Sequence, residues 1–156
     1  MNRITAILPL ENILLDVDCG SKKRVFEFLG IFFENKCSIP AAVVSDHLFA
    51  RERLGSTGLG KGVAIPHGRI KSLKTPMATF LRLKAAVGFD APDNQAVQLL
   101  VVLLVPEAAT VVHLEILSEL AELLSDENLR NRFLMAEKPE DVYQIIHDWL
   151  PSSVAA

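Results

Sequence analysis

Cysteine is scarce in this chain: Cys19 and Cys37 stand far apart and form no CxxC pair. That rules out a disulfide framework. With no secretory signal at the N-terminus, it predicts a protein of the reducing cytoplasm. An excess of one charge sign is also missing. Sixteen Lys and Arg against nineteen Asp and Glu leave a net charge of −3, with the signs interspersed. No nucleic-acid partner is expected of such a surface. Long hydrophobic runs are absent too. The longest, Leu99 to Pro106, falls far short of the ~20 residues that cross a bilayer, so no membrane insertion is expected. Repeats and low-complexity tracts are missing, and the four histidines fit no zinc spacing, so no metal or cofactor is expected.

Half of the 156 residues are hydrophobic, enough for one domain with a packed core. The expected domain spans residues 1–150, and 151–156 read as a loose tail. The region 4–17 is apolar and broken by Pro9, with a strand or turn at Ile13 to Val17. Ser21 is placed to cap a helix to about Asn35, on which Val25, Leu29, Phe32 and Phe33 share a face. Pro40 opens a second helix to about Arg53. Strands are predicted at Val63 to Pro66, Met77 to Leu83 and Gln98 to Val105. The last is apolar throughout, as for a strand covered on both faces. Further helices are predicted from caps at Thr110 and Ser125 and from Pro139, the last ending near Trp149. Strands and helices mixed in this order predict an α/β fold, a sheet sandwiched by helices.

The most informative stretch is Arg51-Glu-Arg-Leu-Gly-Ser-Thr-Gly-Leu-Gly-Lys-Gly-Val-Ala-Ile-Pro-His67-Gly68-Arg69. Glycines let backbone N–H groups approach an anion closely. Arginine offers phosphate a planar fork of donors. A histidine is largely neutral near pH 7 and can take and release a phosphoryl group. Gly55, Ser56, Thr57, Gly58 and Gly60, with Gly68 after the histidine, are the candidate phosphate-binding residues. The loop is a near miss for a P-loop. Gly62 stands where a magnesium-binding Ser or Thr belongs, and the loop follows a helix and opens a strand, the reverse of the P-loop order.

Helical phase bears on two further residues. In the helix 40–53, Ser45, Asp46, Glu52 and Arg53 define a polar side, and Arg51 lies roughly 165° from it. Arg51 is therefore aimed at the protein, although a cation near a helix C-terminus is welcome in any case. Phase alone leaves both readings open. Glu52 and Arg53 read as solvated charges. In the helix 111–124, His113 lies roughly 170° from the face of Glu115, Ser118, Glu119 and Glu122. It points inward from the first turn, where the helix dipole favours a neutral ring. A core histidine and a partner for His67 are both compatible with that. His47 reads as structural and His147 as solvated.

Gly55-Ser-Thr-Gly-Leu-Gly60 followed by Gly62-Val-Ala-Ile-Pro-His67-Gly68 resembles the signature of enzyme IIA domains of the mannitol/fructose class. These are components of the bacterial phosphoenolpyruvate-dependent phosphotransferase system. Leu103-Leu-Val-Pro106 and His113-Leu-x-x-Leu117 resemble the second motif of that family. The resemblance covers nearly the whole chain and is strongest to the stand-alone nitrogen-regulatory branch. It implies a mixed sheet flanked by helices, His67 as the phosphorylated residue, His113 as the second active-site histidine, and Arg51 as a residue that holds the phosphoryl group. It implies an HPr-type phosphocarrier as donor, docking on apolar side chains around the cleft, among which Phe49 is one candidate. No attached IIB or IIC domain is visible, which favours regulation, with sensor kinases or potassium transporters as the implied targets. Two other readings remain open: a sugar-transport IIA that passes phosphate to a IIB component, and a non-catalytic anion-sensing module.

Overall fold

The computed structural model describes residues 2–108 and 111–152. The chain opens with a short helix α1 (Arg3–Ile7), a single 3-10 turn (Leu10–Asn12) and strand β1 (Ile13–Val17). Helices α2 (Lys22–Cys37) and α3 (Ala41–Arg53) follow, then β2 (Gly58–Gly60), β3 (Val63–Ala64), β4 (His67–Ile70), β5 (Met77–Val87) and β6 (Val97–Pro106). Helices α4 (Val111–Ser125), α5 (Glu127–Met135) and α6 (Pro139–Asp148) complete the described chain.

The strands form one mixed sheet in the order β1-β5-β6-β3-β2, and β4 also pairs with β6. Strand β6 is its spine. It runs antiparallel to β5 and parallel to both β3 and β4. Along β6, Leu99, Val101, Leu103 and Val105 join one core, while Leu100, Val102 and Leu104 join the other. The period of two sends alternate side chains to opposite faces. One face is covered by α1, α4, α5 and α6 through residues such as Ile116, Leu120, Phe133 and Val142. The other is covered by α2 and α3 through Phe26, Leu29, Phe33, Val44 and Leu48. A strand buried on both faces carries no polar alternation, and this explains the apolar run in the sequence.

The strand expected at Val63 to Pro66 is shorter than that. Val63 pairs with Leu99 and Ala64 with Leu100; pairing lapses at Ile65 and Pro66 and resumes at His67 with Leu103, at an unchanged offset. Pro66 has no N–H to give the ladder, but its carbonyl still accepts from Leu103 N at 3.0 Å. The interruption leaves β3 and β4 end to end along β6, with His67 as the first residue after the break.

Several boundaries differ from the sequence reading. Ser21 caps α2 as expected, its side chain accepting from Arg24 N at 3.2 Å. The α5 cap is Asp126 and not Ser125; Asp126 accepts from Leu129 N, while the Ser125 hydroxyl turns back to Glu122 O. The expected cap at Thr110 lies outside the described residues. Strand β5 continues past Leu83 to Val87, through exposed Lys84, Ala85 and Ala86 that carry no apolar pattern. Of the expected tail, Pro151 is buried and Ser152 donates to Glu122 from both its N–H and its hydroxyl; 153–156 lie outside the described residues. No described helix is long and apolar enough to cross a membrane.

Candidate functional site

The end of α3, the loop 54–57, the β3–β4 break and the first turns of α4 converge on one cleft. It has a volume of about 280 Å³ and is lined by Arg51, Ser56, Thr57, His67, Leu59, Ile65, Leu117, Ser118 and Ala121. His67 pairs with Leu103, a residue of the α4-side core, so its ring stands on that side of the sheet, facing α4. Gly68 belongs to the opposite side. A side chain there would begin 3.4 Å from His47 Cβ on α3. Helix α3 thus lies against β4 at this point, and Arg51, one turn after His47, comes within reach of His67.

The two ring nitrogens of His67 have different partners. Nδ1 lies 2.8 Å from Ile65 O, which accepts only, so Nδ1 carries the proton. Nε2 lies 3.2 Å from Arg51 Nε and accepts from it. The ring is thus neutral, with its lone pair on Nε2 facing the cleft. Its pKa is lowered from the ordinary imidazole value, first by burial and then by the Arg51 cation; the Ile65 carbonyl and Glu52 oppose the shift. Arg51 is fixed in turn by Nη1, which donates to Gly55 O at 2.7 Å.

His113 is buried and stands edge-on to His67, with ring centroids 5.4 Å apart and planes 84° apart. Burial first, then the His67 and Arg69 charges, lower its pKa as well. The inward aim read from helical phase thus brings Arg51, His67 and His113 together. His47 is exposed, with Nδ1 against Val43 O, and His147 is half-buried beside Asp148.

The loop differs from the expected anion cradle. Thr57 N donates to both carboxylate oxygens of Glu52 at 3.2 Å, and Gly58 N donates to Ser56 Oγ at 3.1 Å. These two amides are therefore committed within the protein. Gly55 supplies its carbonyl to Arg51, and Gly60 lines a neighbouring groove with Lys61 and Arg130. At Gly60, φ is +88°, and a side chain would begin 3.1 Å from the Asp93 carboxylate. Asp93 holds this turn from the β5–β6 hairpin, accepting from Lys61 N at 2.8 Å. Among the expected phosphate-binding residues, only Ser56 and Thr57 line the His67 cleft.

One residue departs from the phase analysis. Glu52 is buried and not solvated, because the loop folds back over the last turn of α3 and covers it. Phe49 is half-buried and packs edge-on against Phe26, with ring centroids 4.8 Å apart. A straight-helix projection contains neither the returning loop nor the neighbouring helix. The apolar walls Leu59, Leu117 and Ala121 also escaped notice, since nothing in the chain marks an isolated leucine as part of a cleft. Among the described residues, no group of three His, Cys, Asp or Glu side chains is placed to hold a metal.

Residues 6–149 match the family model of the phosphoenolpyruvate-dependent sugar phosphotransferase system, EIIA 2. The chain is 44% identical over 149 residues to the nitrogen regulatory protein of Pseudomonas aeruginosa, covering 95% of this chain and 97% of that one. The structure is similar to the crystal structure of nitrogen regulatory protein IIA-Ntr from Neisseria meningitidis. The TM-score is 0.89 at 49% identity, over 93% of this chain and 99% of the other. It also shares its fold with the mannitol enzyme IIA of Escherichia coli, solved in complex with phosphorylated mannitol enzyme IIB. There the TM-score is 0.75 at 20% identity, over 89% and 96% of the two chains.

Proposed function

The chain belongs to the EIIA 2 family of the phosphoenolpyruvate-dependent sugar phosphotransferase system, and on that premise we propose that His67 accepts a phosphoryl group from an HPr-type phosphocarrier. In this reading the protein then regulates partner proteins according to whether it carries that group. The supporting observation is the His67 tautomer, with Nδ1 held by Ile65 O and the Nε2 lone pair turned into the cleft against Arg51.

The chemistry follows from that tautomer. Nε2 attacks phosphorus in line with the departing carrier imidazole. The new N–P bond forms as the carrier N–P bond breaks, and the bonding pair returns to the carrier ring. His67 then holds Nδ1–H and Nε2–P together, and the positive charge on the ring is met by the Ile65 carbonyl. Arg51 exchanges its bond to Nε2 for bonds to the equatorial phosphoryl oxygens, where charge concentrates in the transition state. His113, edge-on at the same cleft, limits where those oxygens go. Ser56 and Thr57 line the pocket.

The added group brings about two negative charges to a cleft with apolar walls. Leu59 lines the cleft and is exposed, and Leu54, which follows the helix of Arg51, and Val112 and Leu114, which flank His113 in sequence, are exposed as well. A partner docking there would meet an apolar face that carries the Arg51 cation before transfer and a net anionic one after it, which changes which partner binds. The nitrogen regulatory relatives support regulation over sugar transport.

The test is incubation with an HPr-type carrier bearing labelled phosphohistidine. One acid-labile phosphate is expected in the wild type and none in His67→Ala. Equal labelling of the two proteins overturns the assignment. Faster onward transfer to a sugar-specific IIB than any effect on a regulated partner would favour the transport reading.

A further inference from the structure

Glu52 is a buried carboxylate one residue from Arg51. Its side chain is 5% exposed. Thr57 Oγ1 donates to its Oε1 at 2.7 Å, Thr57 N donates to both oxygens at 3.2 Å, and Lys22 Nζ lies 3.1 Å from its Oε2. Every partner is a donor. A carboxylate accepts at all its sites, so the pocket is matched to an ionised acid. Burying a charge is costly unless it is paired and hydrogen-bonded, as it is here. A surface loop needs no such device merely to stay closed.

The consequence lies on the other side of the loop. Gly55, two residues before Thr57, gives its carbonyl to Arg51 Nη1, and Gly55 N donates to Glu52 O at 3.1 Å. The loop is thus gripped from within by Glu52 and from the cleft by Arg51. Where Glu52 sets Thr57, Gly55 O follows, and with it the direction of the guanidinium whose Nε meets His67 Nε2. Lys22 offsets part of the carboxylate charge, which reduces the repulsion that the pin presents to an incoming phosphate. Lys22 is itself held by Asp90 at 3.1 Å.

We propose that Glu52 is a positioning residue for phosphoryl transfer: through Thr57 and Gly55 it aims the Arg51 guanidinium at the phosphoryl position beside His67. The inference rests on the reading of His67 as the acceptor. It gives the otherwise isolated Glu52–Thr57–Lys22 cluster a task in the transfer itself.

The experiment compares wild type with Glu52→Gln, Thr57→Val, Thr57→Ser and Asp90→Asn. Single-turnover transfer from a phosphorylated HPr-type carrier is measured at varied carrier concentration, alongside Tm. The ¹⁵N signals of the His67 ring are recorded in the unphosphorylated proteins. Glutamine places an amide N–H donor among donors, and valine removes the hydroxyl without changing shape. Both are expected to lower the saturating rate by ~10-fold or more, as misaim of a positioned group does. Half-saturating carrier concentration should not change, and the His67 Nε2 signal should move as the Arg51 bond loosens. Thr57→Ser should restore the rate, and Asp90→Asn should leave it intact. A wild-type rate or an unmoved Nε2 signal in Glu52→Gln overturns the proposal, as does equal loss in Asp90→Asn. If Glu52→Gln fails to fold, Thr57→Val decides by the same two readouts. Wild type that is never labelled overturns the acceptor reading instead, and the ring signals still report whether Glu52 aims Arg51.

Discussion

Arg51 Nε donates into the lone pair of His67 Nε2 at 3.2 Å, across sixteen residues of chain. A fixed cation thus rests on the nitrogen that is free to form a bond, and it must let go as phosphorus arrives. The contact keeps the ring neutral and holds the guanidinium next to where phosphoryl oxygens would sit.

Removing that cation should affect rate and ring together. Arg51→Ala is expected to slow transfer from a phosphorylated carrier by roughly 10²-fold, the scale of losing one aligned transition-state donor. The His67 pKa should rise, since one of the influences lowering it is gone. Arg51→Lys should recover little, because its donors all sit on one nitrogen and lack the planar spread by which Nη1 holds Gly55 O while Nε faces the phosphoryl position. Transfer at the wild-type rate in Arg51→Ala would remove this residue from the chemistry.

The site of attachment is expected to be Nε2. Nδ1 is committed to Ile65 O at 2.8 Å and has no free lone pair. Two-dimensional ¹H–¹⁵N spectra of the phosphorylated protein should show coupling from phosphorus to Nε2. Coupling to Nδ1 would mean that the ring turns over before it reacts.

Acid should weaken both activity and fold. His67 and His113 have pKa values below the ordinary imidazole value of about 6.5. Transfer should therefore stay near its plateau as pH falls to about 6.5, and decline only below it, as His67 protonates. For stability, the unfolded chain binds these protons more readily than the folded one across the interval between the two pKa values. Stability is full above the unfolded value and is lost as pH falls through the folded one. Tm recorded against pH should drop over that interval, and the drop should be smaller in His67→Ala. A Tm that climbs on acidification there would contradict the lowered ring pKa values.

The α2–α3 contact gives a test away from the cleft. A Cβ at Gly30 would begin 2.6 Å from Ala41 O, a backbone atom that cannot swing aside. Gly30→Ala is expected to destabilise by roughly 1–3 kcal/mol, as overpacking does, even though alanine is the better helix former. Urea denaturation measures it; a gain in stability would mean that the two helices are free to part.

Much of this fold was legible. Ser21 marked the start of α2, and the unbroken apolar run from Leu99 to Val105 marked a strand with helices on both sides. Arg51 and His113 could be aimed inward by phase because they sit on long helices with clear polar faces. Strand β4 was hidden, since Arg69 and Gly68 carry no strand pattern and the ladder rather than the residues makes it. The exposed end of β5 escaped for the same reason. Glu52 was misjudged because its burial depended on the returning loop.

By itself the sequence determined the residue chemistry and the periodicities: the long helices and the central strands, which faces of those helices turn Arg51 and His113 inward, and that a histidine follows a glycine-rich loop. Those are local properties, fixed by backbone sterics and by the need to hide apolar side chains. Only the tertiary structure decided that Arg51, His67 and His113 meet, which nitrogen of His67 is free, and that the Thr57 amide and hydroxyl serve Glu52. Such distances between remote residues depend on how β3 and β4 line up along β6 and on how closely α3 packs against β4, and no local pattern encodes them.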